Sequence, residues 1–195
     1  SSLKIKNKIL IAGNHEAFLY KLHLEKEIHT FFKEKYPNIT YLEDSSVVID
    51  GIKFYGSPWT IEYCNWYFMC KNEEVLAKKF KNIDLDTNVL ITHSPAYKKL
   101  DYAINRNEGS IALEKQIKKL LNLKLHTHGH IHESYGILKN DKYTTINAAF
   151  INYLGFTKPI KIFIIQSRTK QDIKLYISTF ISAIFFPLER SIKNL

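Results

Sequence analysis

His126-Thr127-His128-Gly129-His130-Ile131-His132 decides how the rest of this sequence is read, because four of its eight histidines fall in these seven residues. Just upstream lies Leu120-Leu121-Asn122-Leu123-Lys124-Leu125, whose alternation of apolar and polar residues reads as a short buried strand. Gly129 lets the backbone leave extended geometry and turn tightly. His130 and His132 are therefore expected on a loop just past a strand end, with side chains able to converge. An imidazole titrates at roughly pH 6.5, so near neutrality each ring is mostly uncharged and can offer a lone pair to a cation. Such nitrogen donors suit zinc, manganese, iron, cobalt or nickel rather than calcium. The plainer reading makes one or two of these histidines satisfied surface groups, and it weakens with each histidine added to the cluster.

Working outward, the 195 residues suffice for one domain with a sizeable core, or one domain and a tail. The apolar (45%) and charged (24%) fractions are those of an ordinary globular chain. The formal charge of +9 raises the question of a polyanionic partner. All but Arg106, Arg168 and Arg190 of the 28 basic residues are lysines, however, and they are scattered rather than clustered. Bidentate phosphate recognition therefore has few candidates, and no specific nucleic-acid binding is expected. Cys64 and Cys70 form no CxxC pair and read as buried free thiols, which fits a reducing compartment and a cytoplasmic location. Leu175 to Leu188 is uncharged, but its 14 residues fall short of the roughly 20 a membrane helix needs, and Pro187 interrupts it. A packed or interfacial segment is expected there, not a membrane span.

In chain order, Lys8-Ile9-Leu10-Ile11-Ala12 reads as a buried strand ending at Gly13. Residues 17–35 carry apolar residues at helical spacing, closed by Pro37. Val47–Ile49 and Ile52–Tyr55, joined by Asp50-Gly51, form a hairpin signal. An aromatic stretch runs from Trp59 to Phe68 and reads as core or rim packing in preference to a base-stacking platform. Residues 73–81 read as a helix and Asn88–Thr92 as a strand. Ser110 looks like the cap of a helix running to Leu121, with Ile111, Ile117, Leu120 and Leu121 facing inward. Tyr143–Asn147 and Ile160–Ile165 read as final strands.

Three of these apolar strands end in candidate metal ligands. The first delivers Asn14 and His15, the second His93, and the third His130 and His132. In layered α/β folds the loops beyond the carboxyl ends of strands share one crevice, where ligands collect. Two close cations in such a place can polarise a phosphoryl oxygen and activate a water, and a histidine beside the leaving oxygen can supply a proton.

Gly13-Asn14-His15-Glu16, Thr92-His93-Ser94-Pro95 and Gly129-His130-Ile131-His132, in this order, resemble the later motifs of the calcineurin-like metallophosphoesterases. The text from Val47 to Trp59 and from Gly129 to Gly136 is closer still to the eukaryotic metallophosphoesterase-domain-containing (MPPED) subgroup. The resemblance runs from about Lys8 to Ile165 and implies an α/β fold, a four-layer α/β/β/α sandwich. It makes residues 1–166 the C-terminal part of the phosphoesterase domain and residues 167–195 a tail. It implies a hydrolase that uses a water activated by two divalent metal ions (manganese, iron, zinc or similar) to cleave a phosphate-ester substrate, expected to be a phosphodiester of cyclic or nucleotide-like kind. Carried over by position, Asn14, His93 and His130 would hold the second metal and His132 would be a ligand of the first. His15 would be the catalytic group facing the leaving oxygen, with Glu16 orienting it. His126 and His128 precede the motif and are assigned to support or structure.

Two departures bear on activity. In the family an Asp-x-His and a Gly-Asp precede the Gly-Asn-His-Glu segment, whereas the twelve residues before Gly13 hold no Asp, Glu or His. Ala96 also stands where a second proline is common. The chain therefore reads as an N-terminally truncated phosphoesterase, weak in metal binding and in turnover by itself. A non-catalytic binding or scaffold module remains the second reading, and nucleic-acid binding through the lysines a third.

Overall fold

A computed structural model describes residues 7–149, together with the backbone of 161–166 and 172–177. The chain opens with β1 (Lys8–Leu10), α1 (Ala17–Leu24), α2 (Ile28–Lys35) and β2 (Ile39–Tyr41). β3 (Ser45–Ile49), β4 (Ile52–Ser57), the two-residue strands β5 (Thr60–Ile61) and β6 (Met69–Cys70), and α3 (Glu73–Phe80) follow. Then come β7 (Val89–Thr92), the small pair β8 (Tyr102–Ala103) and β9 (Arg106–Asn107), α4 (Ile111–Ile117) and β10 (Leu125–His128). A 3₁₀ turn (His132–Ser134), β11 (Gly136–Lys139) and β12 (Thr144–Asn147) complete the part that holds the site. β13 (Lys161–Gln166) and β14 (Asp172–Ile177) pair antiparallel with each other. Most of the uncharged segment 175–188 lies outside the described residues.

The central sheet has the order β11-β12-β10-β7-β4-β3. Its four inner strands, β12, β10, β7 and β4, run parallel, and antiparallel β11 and β3 close the edges. β1 and β2 pair parallel in a separate short sheet. Alternation along these strands sorts their side chains between two cores. Ile9 and Ile11 join Leu42, Phe54, Val89 and Ile146 between the two sheets, while Leu10, Ala12, Ile39 and Tyr41 turn toward Leu22, Ile28 and Phe32 of α1 and α2. Tyr55 and Leu90, on the far face of the large sheet, pack in a cluster that includes Leu76, Phe80, Leu113 and Ile117 of α3 and α4. The expected α/β layering is thus present, with the cores on either side of the large sheet.

Local chemistry accounts for most boundaries. Asp50 (φ 49°) and Gly51 (φ 75°) turn the β3–β4 hairpin with two positive φ angles, as the Asp-Gly pair requires. Asn72 caps α3 by accepting from Val75 N–H (3.0 Å), and Ser110 caps α4 by accepting from Leu113 N–H (3.1 Å). Asp44 fixes the carboxyl end of β4: its carboxylate accepts from Ser57 Oγ–H and Trp59 Nε1–H, both at 2.8 Å, and pairs with Lys79 Nζ at 3.4 Å.

Four expectations need correction. Residues 17–35 form two helices, because Lys26 adopts a left-handed φ of 60° between them. The strand expected at 120–125 begins only at Leu125, so His126 and His128 lie inside it. In α4 and the turn after it, Leu113, Ile117 and Leu120 are buried, whereas Ile111 (48% exposed) and Leu121 (87%) face solvent. Cys70 is buried as expected, but Cys64 is exposed.

Candidate metal and phosphoester site

Because β4, β7, β10 and β12 run parallel, their carboxyl ends open on one edge of the sheet. The register sets Ser57 beside Thr92 and His128 beside Asn147, so the loops that follow start level with one another. Backbone bonds then tie them together: His93 N–H donates to Ser57 O (3.1 Å), and Gly129 N–H donates to His93 O (3.0 Å). The turn after β1 meets this edge through Asn14. His93 Nε2 lies 2.8 Å from Asn14 Oδ1 and 3.4 Å from Asn14 N, across 79 residues of sequence. Asn14 N–H donates to that ring nitrogen, which places a lone pair on Nε2, and a cation seated between Nε2 and Oδ1 would meet a lone pair from each atom.

His130 closes the cluster. Its φ of 67° is left-handed, an uncommon conformation for a residue with a side chain, and it brings the ring to 4.8 Å from that of His93, centroid to centroid. The tight turn thus falls on His130 itself, whereas the glycine beside it was expected to provide it. His15 and His132 both lie close enough to act electrostatically on His93 and His130. Asn14, His93 and His130 therefore meet at this edge, with His15 and His132 near enough to act on the two rings.

Burial sets the protonation of the cluster. It holds His93 well below the ordinary imidazole range, helped by His130, His15, His128 and His132 nearby, and lowers His130 to about 4. His15, exposed at the rim, is lowered by partial desolvation. Asn14 is fully buried, and among the described residues no hydrogen-bond partner meets its Nδ2. Two uncharged imidazoles and an amide oxygen form a donor set that fits one borderline divalent cation. Among the described residues no group of three or more His, Cys, Asp or Glu side chains is arranged to hold a metal. A cation here would have to be held in part by the Asn14 amide oxygen.

Three residues support the donors in ways the sequence did not disclose. Gly13 lies flat against the His93 ring: a Cβ there would stand 2.5 Å from Cε1 and 3.0 Å from Glu16 Oε2. The Glu16 carboxylate accepts from Gly13 N–H (2.6 Å) and also meets the backbone of His15, and its pKa rises to about 7 through burial despite these backbone donors, which oppose the shift. His126 donates through Nε2 to Thr92 Oγ (2.9 Å), since the Thr92 hydroxyl itself donates to Ser94 O (2.7 Å). That relay fixes the backbone on either side of His93. His128, also buried, lies 5.2 Å ring to ring from His126.

The aromatic stretch is split. Trp59 and Phe68 are core residues, but Tyr63 and Trp66 stand at the crevice rim. Spacing carried no signal for this division, because both halves are equally aromatic.

A calcineurin-like phosphoesterase family model matches residues 2–134. Metallophosphoesterase domain-containing protein 1 of Homo sapiens is 32% identical over 182 residues, covering 83% of this chain and 56% of that protein. A UPF0046 protein of Caenorhabditis elegans is 35% identical over 157 residues, covering 75% of this chain and 53% of that protein. The chain thus spans little more than half the length of these relatives. A solved crystal structure superposes with a TM-score of 0.58 at 17% identity, over 90% of this chain and 67% of that one, a likeness of fold alone. Among the described residues no helix is long and apolar enough to cross a membrane.

Proposed function

This chain belongs to the calcineurin-like phosphoesterase family, and from that membership we propose that its crevice serves cation-dependent phosphodiester hydrolysis, with Asn14, His93 and His130 holding one divalent metal. The observation that carries this reading is the Asn14 Oδ1–His93 Nε2 pair at 2.8 Å, with the His130 ring beside it. Once bound, a divalent cation supplies Lewis acidity toward a phosphoryl oxygen and a water.

The chain's own residues do the rest. Their lowered pKa values keep His93 and His130 in the form that donates a lone pair at neutral pH. Asn14 contributes an oxygen without adding negative charge, so the site keeps its attraction for an anionic ester. His15, unprotonated for most of the time and open to solvent, sits where it can accept a proton and pass it to a departing alkoxide. His132, at the start of the 3₁₀ turn, is the donor left for a second cation. The described residues add no carboxylate cluster to it, so no step is assigned to a second metal. The preference for diesters rests on the resemblance, not on geometry.

Cation content after dialysis against manganese or cobalt, and hydrolysis of bis(4-nitrophenyl) phosphate, test the reading together. Asn14→Ala and His93→Ala are each expected to lose the bound cation. Retention of wild-type affinity by both variants would refute the assignment. The all-neutral donor set also favours a second reading, a cation-binding module without turnover, and tight cation binding with no hydrolysis would select it.

A further inference from the structure

One buried side chain braces the turn that carries His130. Ile131 N–H donates to Gly129 O at 2.8 Å, so residues 129–131 close a three-residue turn with His130, at φ 67°, in its centre. A three-residue turn with a positive central φ is rare and strained, and it persists only where its surroundings fix it. On one flank, Gly129 N–H is tied to His93 O at 3.0 Å. On the other, Asn147 Nδ2–H donates at 2.7 Å to Ile131 O, the carbonyl of the residue between His130 and His132.

Asn147 is fully buried at the end of β12, beside His128 in the register. Its amide oxygen accepts from Ala149 N–H (3.0 Å), which turns Nδ2 toward carbonyls, and Nδ2 also donates to Leu100 O (3.1 Å). All three contacts agree on one orientation of the amide. Leu100 is itself left-handed (φ 56°), so a single side chain joins two backbone segments in uncommon conformations. The amide thus serves the loops around the crevice and adds nothing to the ladder between β10 and β12.

We propose that Asn147 is a positioning residue of the crevice: by holding Ile131 O it keeps the strained turn closed and the His130 ring beside that of His93. The proposal rests on the assignment of His130 as a cation donor made above and deepens it. Asn147 touches neither a cation nor an ester and acts through His130. Without the amide, two carbonyls lose this donor and the turn can relax to commoner backbone angles. The strained form then becomes a minor population, and cation affinity falls by that fraction, roughly ten- to hundredfold.

Asn147→Leu keeps the volume and removes both donors. Asn147→Ser, whose hydroxyl is too short to serve both carbonyls, is the milder change and carries the test if leucine is not accommodated. Cobalt affinity, measured by titration calorimetry, should fall at least tenfold in either variant. In chelator, 1H–15N spectra of the histidine rings should show the His130 signals displaced, a change independent of any cation. Asn88→Ala is the control, because that amide bridges backbone in the same way at the amino end of β7, accepting from Lys53 N–H (3.0 Å) and donating to Asn122 O (3.2 Å). It should lower the urea midpoint and leave cobalt affinity and the ring signals as in the wild type. Wild-type affinity or unmoved His130 signals in the Asn147 variants would overturn the proposal. An equal loss of affinity in Asn88→Ala would overturn it too, by marking general loosening. A wild-type protein that binds no cobalt would overturn the cation reading alone. Displaced His130 signals would then still support Asn147 as the residue that holds the turn, and unmoved signals would overturn that as well.

Discussion

Gly13→Ala is a one-atom test of how the donors are held. The added Cβ would stand 2.5 Å from His93 Cε1, closer still to Nδ1, and 3.0 Å from Glu16 Oε2. Ordinary carbon contacts lie near 3.5–4.0 Å, so roughly 1 Å must be recovered by movement. The ring cannot retreat with its backbone, because His93 is tied to Ser57 O on one side and to Gly129 N–H on the other. Glu16 is held by the Gly13 amide itself. What remains is rotation of the imidazole away from its contact with Asn14 Oδ1. Overpacking of this kind costs roughly 1–3 kcal/mol. At roughly 2–4 °C per kcal/mol for a chain of this size, a fall in Tm of roughly 2–12 °C is expected. Thermal unfolding in chelator measures that part without a cation. Cobalt titration followed by visible absorbance measures the other, and affinity should fall at least tenfold. Gly56→Ala separates the two effects: its Cβ would meet Leu42 and, at 2.7 Å, Ile11 Cγ2 in the core between the sheets. It should lower Tm comparably and leave cobalt affinity near wild type. A Gly13→Ala protein that matches the wild type in both measurements refutes the claim that a bare Cα at this position is what lets the His93 ring reach Asn14.

Other consequences are quicker to check. Ser110→Ala removes the acceptor for Leu113 N–H and the donor to Glu73 Oε2 (3.0 Å), and should cost roughly 1–2 kcal/mol in urea unfolding. An unchanged midpoint would mean that Glu73, which also accepts from Ala112 N–H, carries the helix start alone. Gly51→Ala forces a side chain into φ 75° and should cost about 1 kcal/mol, a loss absent from Asp50→Asn, since asparagine tolerates the same region. Burial lowers His126 well below 6.5 and His128 to about 4. The unfolded chain therefore binds more protons in that window, and stability present above pH 6.5 drains away as the pH falls toward 4. Urea midpoints in chelator across that range should fall, and His126→Gln should flatten the slope. A pH-independent midpoint would contradict the buried, uncharged histidines.

Much of this molecule was legible in the sequence, and the misreadings share a cause. The hairpin at Asp50-Gly51 and the strands leading to Asn14 and His93 were readable because each carries its own local signal, a turn pair or a β-branched run. The approach of His93 and His130 followed from parallel strand order, which fixes on which edge the loops emerge, whereas Asn14 reaches that edge from the separate β1–β2 sheet. Periodicity misled where one residue type served two environments. In residues 17–35, Leu22 and Ile28 are both buried. Six positions in one continuous helix would set them about 120° apart, at the limits of one inward stripe, and here the helix breaks between them so that both are buried. The same spacing separates Ile111 from Ile117, and there the helix continues and Ile111 is left in solvent.

The strand before the histidine cluster shows the reverse problem. The alternation of apolar and polar residues from Leu120 to Leu125 placed it five residues early. His126 and His128 are in fact inward-facing members of β10, on the face that also carries Thr145 and Asn147 of the neighbouring strand. A histidine whose charge has been suppressed by burial packs as an apolar ring with one polar edge to satisfy, and His126 satisfies it on Thr92. Four histidines in seven residues thus divide by depth: inside the strand His126 ties the backbone beside His93 through Thr92 while His128 packs next to it, and the other two lie beyond the strand end. A reading by residue type gives all four one role, whereas strand position separates them, which is why Thr92→Val should disturb cation affinity although Thr92 is no donor. Valine keeps the volume and removes the hydroxyl that links His126 to Ser94 O. Cobalt affinity lowered several-fold with the fold intact is the expected result. Wild-type affinity in Thr92→Val would leave the buried pair with a packing role only.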